Sequence, residues 1–272
     1  MTVRAWSGTG EFVEAVSDGV MVETVAPTVG VVWDGNGSAV DDLSCQTSLD
    51  SLSARWSGFD DVPSGVDHYL WAVGTTPGGA DVRGFVLVPR PDNGLNASAV
   101  HSVDAEVGLQ DGVRYYVGVM AVDRAGNTVV QSSDGVLVDS TPPDAGAVTV
   151  RDGPGPTDAH SQPLGPLSAS WADFVDAGSG VVKYEWAIGS SPCAADVQGY
   201  TDVGMALEAR MPSAEGLAAG ARYFIAVRAT DGAGLRAAVT SNGIWIEGEP
   251  SAQQATPGVH QLPLHLETNQ CE

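Results

Sequence analysis

Acidic residues gather in the segments between predicted strands, where their oxygens could bind a divalent cation. Calcium accepts about six to eight oxygen ligands, and aspartates in facing loops are a common source of them. Asp139 and Asp144 also flank the Pro142–Pro143 pair. Asp and Gly favour turns in their own right, and the chain contains no D-x-D-x-D-G series, so turn formation is the alternative reading. The candidate calcium ligands are Asp60, Asp61, Asp123, Asp176 and Asp231.

The residues that could support catalysis do not form a recognisable motif. Ser64, Asp67 and His68 are close in sequence, but catalytic triads are assembled across a fold, and this stretch leads directly into a predicted strand. The glycines are not followed by a helix that could bind phosphate. No metal-ligand spacing relates the histidines, which are His68, His101, His160, His260 and His265. We therefore predict no catalytic residue, and no cofactor apart from calcium.

Two further residue types bear on modification and redox state. Asn36 and Asn96 each begin an N-x-S tripeptide in a predicted loop, and they are candidate glycosylation sites if the protein is secreted by a eukaryote. Cys45, Cys193 and Cys271 fall at positions that are not equivalent between repeats. The sequence therefore predicts no disulfide framework within the repeated unit, and it leaves the redox state of the cysteines open.

The charge of the chain excludes some classes of partner. Its 34 acidic and 12 basic residues give a net charge of −22, which repels nucleic acid and anionic lipid surfaces. No run of about 18 apolar residues occurs, so we predict no membrane span, and no signal peptide is visible.

One sequence pattern recurs along the chain and determines its organisation. Residues 3–19 return at 119–135 and again at 227–243, at spacings of 116 and 108 residues. A period of this size indicates tandem copies of one domain. Residues that recur in each copy describe what each unit needs to fold, whereas catalytic groups usually occur once.

Each unit reads as a series of short amphipathic strands separated by turns. Leu52, Ala54 and Trp56 alternate with Ser51, Ser53 and Arg55, and the pattern returns from residue 167. A period of two with one apolar face indicates half-buried strands, and many such strands form two antiparallel sheets packed face to face. The aromatic residues predicted in the cores are Trp56, Trp71, Tyr115, Trp171, Trp186 and Tyr223.

The repeat resembles the fibronectin type III module of the immunoglobulin-like superfamily. A leucine lies six residues before a tyrosine in both copies, at Leu109–Tyr115 and Leu217–Tyr223, and an apolar alternation follows each tyrosine. In that family this spacing forms the tyrosine corner, in which the hydroxyl bonds to the backbone near the leucine. The resemblance implies an all-β fold of tandem seven-stranded antiparallel β-sandwiches. The turn after each tyrosine strand also resembles bacterial immunoglobulin-like repeats.

These features predict four segments. Residues 1–25 match the last two strands of a preceding repeat, and their Val3, Ala5, Val20 and Val22 would face water without the other strands. Residues 26–141 and 142–247 are the two complete repeats. Residues 248–272 match no repeat position and are predicted to be a disordered tail.

The resemblance also implies a function. We expect a non-catalytic structural and adhesion module array, a fragment of a larger extracellular or cell-surface protein with many repeats. Its partners would be the neighbouring repeats and an unidentified protein or glycan ligand. The alternative is a spacer or accessory segment of a secreted multidomain enzyme that acts on polysaccharide.

Overall fold

The computed structural model describes residues 1–35, 42–88, 101–153, 155, 157–248 and 270–271, with only the backbone of 101–105. Within these residues every regular element is a β-strand, which confirms the predicted all-β class. The strands, in chain order, are β1 (Thr2–Trp6), β2 (Phe12–Val16), β3 (Val31–Asp34), β4 (Cys45–Gln46), β5 (Ser51–Ser57), β6 (Val66–Gly74), β7 (Arg83–Leu87), β8 (His101–Glu106), β9 (Arg114–Asp123), β10 (Thr128–Ser132), β11 (Val136–Val138), β12 (Val150–Asp152), β13 (Ser161–Gln162), β14 (Ser168–Trp171), β15 (Val181–Gly189), β16 (Gln198–Gly204), β17 (Glu208–Arg210), β18 (Arg222–Asp231), β19 (Arg236–Thr240), β20 (Ile244–Ile246) and β21 (Gln270–Cys271).

The chain divides into two compact units, which are described separately. The first unit comprises Met1–Leu43, Ser51–Val107 and Arg114–Gly135. The second unit comprises Ser44–Asp50, Gly108–Val113 and Val136–Glu272. The boundary that the sequence predicts after residue 141 stays a prediction.

The second unit contains a β-sandwich. One sheet has the order β12-β14-β17, and the other has the order β13-β20-β18-β15-β16, with β19 also paired to β18. β19 and β20 run along β18 as one strand interrupted at Ser241, whose amide donates to Ile225 O while its hydroxyl accepts from Ile225 N. The same unit holds the parallel pair β4 and β11.

The first unit repeats this arrangement. Its strands form a sheet of order β3-β5-β8 and a second sheet in which β6 pairs with both β7 and β9, and β10 pairs with β9. β1 and β2 form a separate two-stranded antiparallel sheet. The fold is therefore the tandem sandwich that the resemblance to fibronectin type III modules implied.

Aromatic side chains fill both cores. Trp56, Trp71, Trp171 and Trp186 are all buried. The indole of Trp171 meets the ring of Tyr184 edge-on, with ring centroids 6.2 Å apart. Strand alternation predicted an outward Arg55, but this residue is buried and its guanidinium lies over the ring of Trp33. The indole face attracts the guanidinium by a cation–π contact, which offsets part of the cost of burying the charge.

The tyrosine corner is formed in the second unit. The Tyr223 hydroxyl accepts a hydrogen bond from Ala218 N at 2.9 Å and donates to Gly216 O at 3.5 Å. These partners flank Leu217, the leucine that the sequence pattern singled out. Tyr223 is buried, so water cannot readily replace the hydrogen bonds of its hydroxyl. These bonds therefore fix the connection before β18.

We predict that Tyr223→Phe lowers the free energy of unfolding of the second unit by about 1–2 kcal/mol, because it leaves Ala218 N without its acceptor. Denaturant unfolding measures this loss. The matched control is Tyr200→Phe, since the Tyr200 hydroxyl has no hydrogen-bond partner in the described part of the chain. Equal losses in the two variants would show that the corner contributes nothing specific.

Residues 1–25 form the hairpin that the sequence predicts, in part. β1 and β2 pair along their full length, and Val3 and Ala5 are exposed. Val20 and Val22 are exposed as well, but they lie outside any strand. The hairpin therefore presents apolar side chains to water, as expected for two strands without a second sheet. Its interpretation as the remnant of a preceding repeat stays a prediction.

The predicted tail is ordered at its far end. Gln270 and Cys271 form β21, which pairs with β19, and Cys271 forms a disulfide with Cys193. The expectation that residues 248–272 are disordered is wrong for these two residues. The cysteine spacing does not predict this disulfide, because only one of the two cysteines, which are 78 residues apart, lies in a repeat.

Candidate cation site

Three aspartates of the second unit bring their carboxylates together. Asp139 follows β11, Asp176 lies in the turn between β14 and β15, and Asp231 ends β18. One oxygen from each lies within 4.8 Å of the others. Asp139 is 0% exposed and Asp231 is 1% exposed, so two of the three acidic groups are removed from water. None of them has an ion-pair partner among the described residues.

The position of Asp139 is tightly fixed. One carboxylate oxygen accepts hydrogen bonds from the amide and the hydroxyl of Ser179, and the other accepts from both donors of Thr141. The carboxylate also lies against Gly178, where an added Cβ would be 2.4 Å from Asp139 Cγ. Only glycine therefore leaves room for Asp139 at this point.

The other two carboxylates are held by the turns that carry them. Asp176 Oδ2 accepts a hydrogen bond from Gly180 N at 2.5 Å, and Asp231 Oδ1 accepts from Leu235 N at 2.8 Å. Asp231 Oδ2 is buried and has no hydrogen-bond partner among the residues that the structure describes. A buried carboxylate oxygen without a hydrogen-bond donor lowers the stability of the fold, because its charge has left water and gained no partner in exchange.

The proton affinities of the buried pair differ. Burial raises the pKa of Asp231, and the negative charges of Asp139 and Asp176 raise it further, against the hydrogen bond from Leu235. Burial acts in the same direction on Asp139, but hydrogen bonds from Ser179 and Thr141 outweigh it and lower the pKa of Asp139. Asp139 is thus held as an anion beside a carboxylate that burial and like charge destabilise.

The first unit contains an equivalent group at the repeat spacing. Glu23, Asp61 and Asp123 bring one oxygen each within 4.8 Å of the others. They precede Asp139, Asp176 and Asp231 by 116, 115 and 108 residues. These are the spacings at which the repeat itself recurs.

The hydrogen bonds around the two groups also correspond. Ser64 N donates to Glu23 Oε2 at 3.2 Å, as Ser179 N donates to Asp139. Gly65 N donates to Asp61 Oδ2 at 2.7 Å, as Gly180 N donates to Asp176. The arrangement is therefore a property of the repeat.

Besides the change from Glu23 to Asp139, one further substitution separates the two groups. In the first unit, Asn127 Nδ2 donates to Asp123 Oδ2 at 2.8 Å. The residue at the same place in the second unit is Leu235, whose side chain has no donor. Asp231 Oδ2 therefore lacks the hydrogen bond that its counterpart Asp123 Oδ2 receives.

A third group in the first unit is not repeated as three carboxylates. Asp34, Asp42 and Asp134 lie together there. In the second unit, the place of Asp134 is taken by Asn242, whose Nδ2 donates to Asp158 Oδ2 at 2.7 Å. What both repeats share at this position is one buried aspartate, Asp34 in the first repeat and Asp152 in the second, each 0% exposed.

Four of the predicted calcium ligands lie in the repeated groups, and one does not. Asp61, Asp123, Asp176 and Asp231 are members, whereas the carboxylate of Asp60 belongs to neither described group. From the sequence alone, Asp139 stands out only as a residue beside prolines, and Glu23 does not stand out. The repeat spacing could have identified both residues, because Glu23 and Asp139 are acidic residues at equivalent positions of the two repeats.

The other candidate residues do not form a site. Ser64 Oγ donates to Asp61 Oδ2 at 2.8 Å, while His68 Nδ1 lies 2.9 Å from Asp67 Oδ2. The serine hydroxyl is thus directed to Asp61 and away from the histidine that a catalytic triad would require. Asn36 and Asn96 lie outside the described residues, so their glycosylation stays a prediction.

Comparison with known proteins gives structural likeness only. No family model matches the sequence, and no curated protein matches it. Fibronectin(III)-like modules of Clostridium thermocellum CbhA are 11% identical with a TM-score of 0.44, over 80% of this chain and 94% of that one. Three domains of titin are 17% identical with a TM-score of 0.46, over 91% of this chain and 74% of that one. A Ca²⁺-stabilized adhesin of an ice-binding Antarctic bacterium is 21% identical with a TM-score of 0.40, over 90% of this chain and 55% of that one.

The described part of the chain has no helix of the length and apolarity that crossing a membrane requires. Its strand order, buried tryptophans and tyrosine corner are those of an immunoglobulin-like sandwich. In fold, the chain is similar to tandem repeat proteins of the fibronectin type III and immunoglobulin-like kind.

Proposed function

We propose that the chain is part of an extracellular or cell-surface protein in which the repeats act as non-catalytic spacers and adhesion modules. The observation that supports this proposal is that the same polar side chains recur at equivalent positions in each repeat of the fold. The acidic groups, the serine at the strand interruption and the buried aspartate all occur once per repeat. Polar residues that recur with the fold serve each unit alike, which is what a module array requires.

The net charge of −22 supports the same proposal. Charge of one sign keeps tandem units soluble and discourages association of neighbouring copies. The partners in this proposal are adjacent repeats of the same protein and a protein or glycan ligand.

Surface labelling of the native protein tests the proposal. Intact cells of the source organism are treated with a membrane-impermeant biotin reagent, and peptides of residues 142–247 are sought by mass spectrometry among the labelled and secreted proteins. We expect recovery in those fractions, with an abundant cytosolic protein as the negative control. Recovery only with the cytosolic control would contradict an extracellular role. Peptides of a polysaccharide-degrading domain in the same polypeptide would favour the enzyme-spacer alternative.

A further inference from the structure

We propose that Asp139, Asp176 and Asp231 together bind one Ca²⁺ ion. The inference concerns the second unit by itself and does not depend on where the protein works. Three carboxylates supply three ligand oxygens or more, and calcium prefers carboxylate and carbonyl oxygens. The cation would neutralise charge that no described side chain neutralises.

The spacing of the oxygens suits an ion of this size. Calcium–oxygen distances are about 2.4 Å, so two ligands on opposite sides of the ion are about 4.8 Å apart and adjacent ligands are closer. The oxygens of the three aspartates lie within 4.8 Å of one another. One oxygen of each aspartate is therefore within about 2.8 Å of a common point, so small side-chain shifts bring all three to the calcium–oxygen distance.

Asp231 provides the second and independent reason to expect a ligand. It is 1% exposed, its Oδ2 has no hydrogen-bond partner among the described residues, and this carboxylate belongs to the group. Folding has thus buried an acidic oxygen without a donor, beside two further carboxylates. A bound cation supplies the missing partner.

The equivalent oxygens of the two repeats differ in their hydrogen bonding, which supports a cation at Asp231. In the first unit the equivalent oxygen, Asp123 Oδ2, receives the side-chain amide of Asn127. In the second unit Leu235 replaces that asparagine and leaves the oxygen open. In the first unit it is Glu23 Oε1 that is buried without a hydrogen-bond partner among the described residues, so the two groups differ in which carboxylate oxygen is open.

The chemistry of the donors selects among divalent ions. Zinc prefers histidine and cysteine, and this group contains only carboxylates. Magnesium holds its water strongly and usually takes one or two carboxylates, whereas calcium accepts several protein oxygens in irregular geometry. Three carboxylates on separate segments favour calcium.

Binding would join three segments that are distant in sequence. Asp139 follows the last strand of the first sequence repeat, while Asp176 and Asp231 belong to two turns of the second repeat. The ion would hold the segment before Pro142 against those turns, so removal of calcium would loosen the entry to the second sandwich.

The test measures calcium binding and thermal stability of the full chain after treatment with a chelator. Titration calorimetry with CaCl₂ should show saturable binding with a Kd of about 0.1–1 mM, the range of extracellular calcium modules. Calcium at saturating concentration should raise the Tm by roughly 5–10 °C, because it binds the folded state alone. MgCl₂ at equal concentration should give a much smaller shift.

Matched variants assign the site. Asp231→Asn keeps an acceptor for Leu235 N but removes charge, so it should bind one calcium fewer and lose the associated Tm shift. In the presence of chelator, this variant should melt at or above the wild-type temperature, because an uncompensated buried charge is gone. Asp152→Asn, at an equally buried aspartate outside the group, should keep the calcium shift.

Leu235→Asn installs the residue of the first unit. The new amide should occupy Asp231 Oδ2 and weaken calcium binding about tenfold, since it offers a competing charge-assisted hydrogen bond. The proposal is overturned if the wild-type chain shows no saturable calcium binding, if magnesium acts equally, or if Asp231→Asn retains the full response. A Tm of Asp231→Asn that is lowered equally with and without calcium would assign Asp231 a purely structural role and also overturn it.

Discussion

Replacing Trp171 by Ala should lower the free energy of unfolding of the second unit by about 3–5 kcal/mol, the usual range for a buried aromatic side chain. Trp171 is 3% exposed and ends β14 in the three-stranded sheet of the sandwich. Its indole meets Tyr184 from the facing sheet, and the same core includes Phe174 and Met211. Truncation would open a cavity between the two sheets that these neighbours cannot fill without moving.

Two variants make this measurement specific. Trp245→Ala removes the same side chain at a position that is 50% exposed, so its cost should be under about 1 kcal/mol. Trp171→Phe keeps an aromatic ring against Tyr184 and removes an indole N–H that has no partner in the described residues, so it should cost less than half of Trp171→Ala. Chemical denaturation followed by tryptophan fluorescence gives all three values. Similar costs at positions 171 and 245 would mean that the Trp171 indole does not form part of the core.

The sandwich was predictable from the sequence because its strands follow simple alternation. In β5, Leu52, Ala54 and Trp56 are all buried, as a period of two requires. The tyrosine corner was predictable because one leucine–tyrosine spacing determines it. The burial of Arg55 was not predictable. Alternation assigns Arg55 to the outer face of the strand, but it does not show that Trp33 covers that face.

The candidate site was predictable only in part. Repeat spacing and residue type led to Asp61, Asp123, Asp176 and Asp231, but turn formation explained the same residues equally well. Asp139 belongs to the group because Gly178 has no side chain and lets the carboxylate approach the turn, which the sequence pattern does not reveal. The unpartnered oxygen of Asp231 depends on a difference between Asn127 and Leu235 that has meaning only once both turns are seen in three dimensions.

A second buried aspartate should make the stability of the chain depend on pH between about 4 and 7. Asp152 is 0% exposed, its Oδ2 accepts a hydrogen bond from Gly243 N at 3.2 Å, and its Oδ1 has no partner in the described part of the chain. Burial raises the pKa of Asp152 from 3.8 to about 7, with Asp158 adding to the rise and hydrogen bonds from Ser241 and Gly243 opposing it.

The direction of the effect follows from proton binding. Between the unfolded pKa near 3.8 and the folded pKa of about 7, the folded state holds a proton that the unfolded state has released. The stabilising contribution is therefore complete below about pH 4 and is lost as pH rises to 7. The difference corresponds to about 4 kcal/mol for this one group.

Asp152→Asn should remove the contribution of Asp152 to this dependence, because an amide accepts from Gly243 N and does not ionise. At pH 7 to 8 the variant should be more stable than the wild-type chain by up to about 4 kcal/mol, and near pH 4 the two should agree. Denaturant unfolding at a series of pH values, with chelator present, isolates the effect from the calcium site. Asp196→Asn is the opposing control: hydrogen bonds from Ser190 lower the pKa of Asp196, so its substitution should reduce stability above pH 4. Parallel pH profiles for wild type and Asp152→Asn would mean that the folded chain holds Asp152 ionised at neutral pH, with a compensating charge or water beside it.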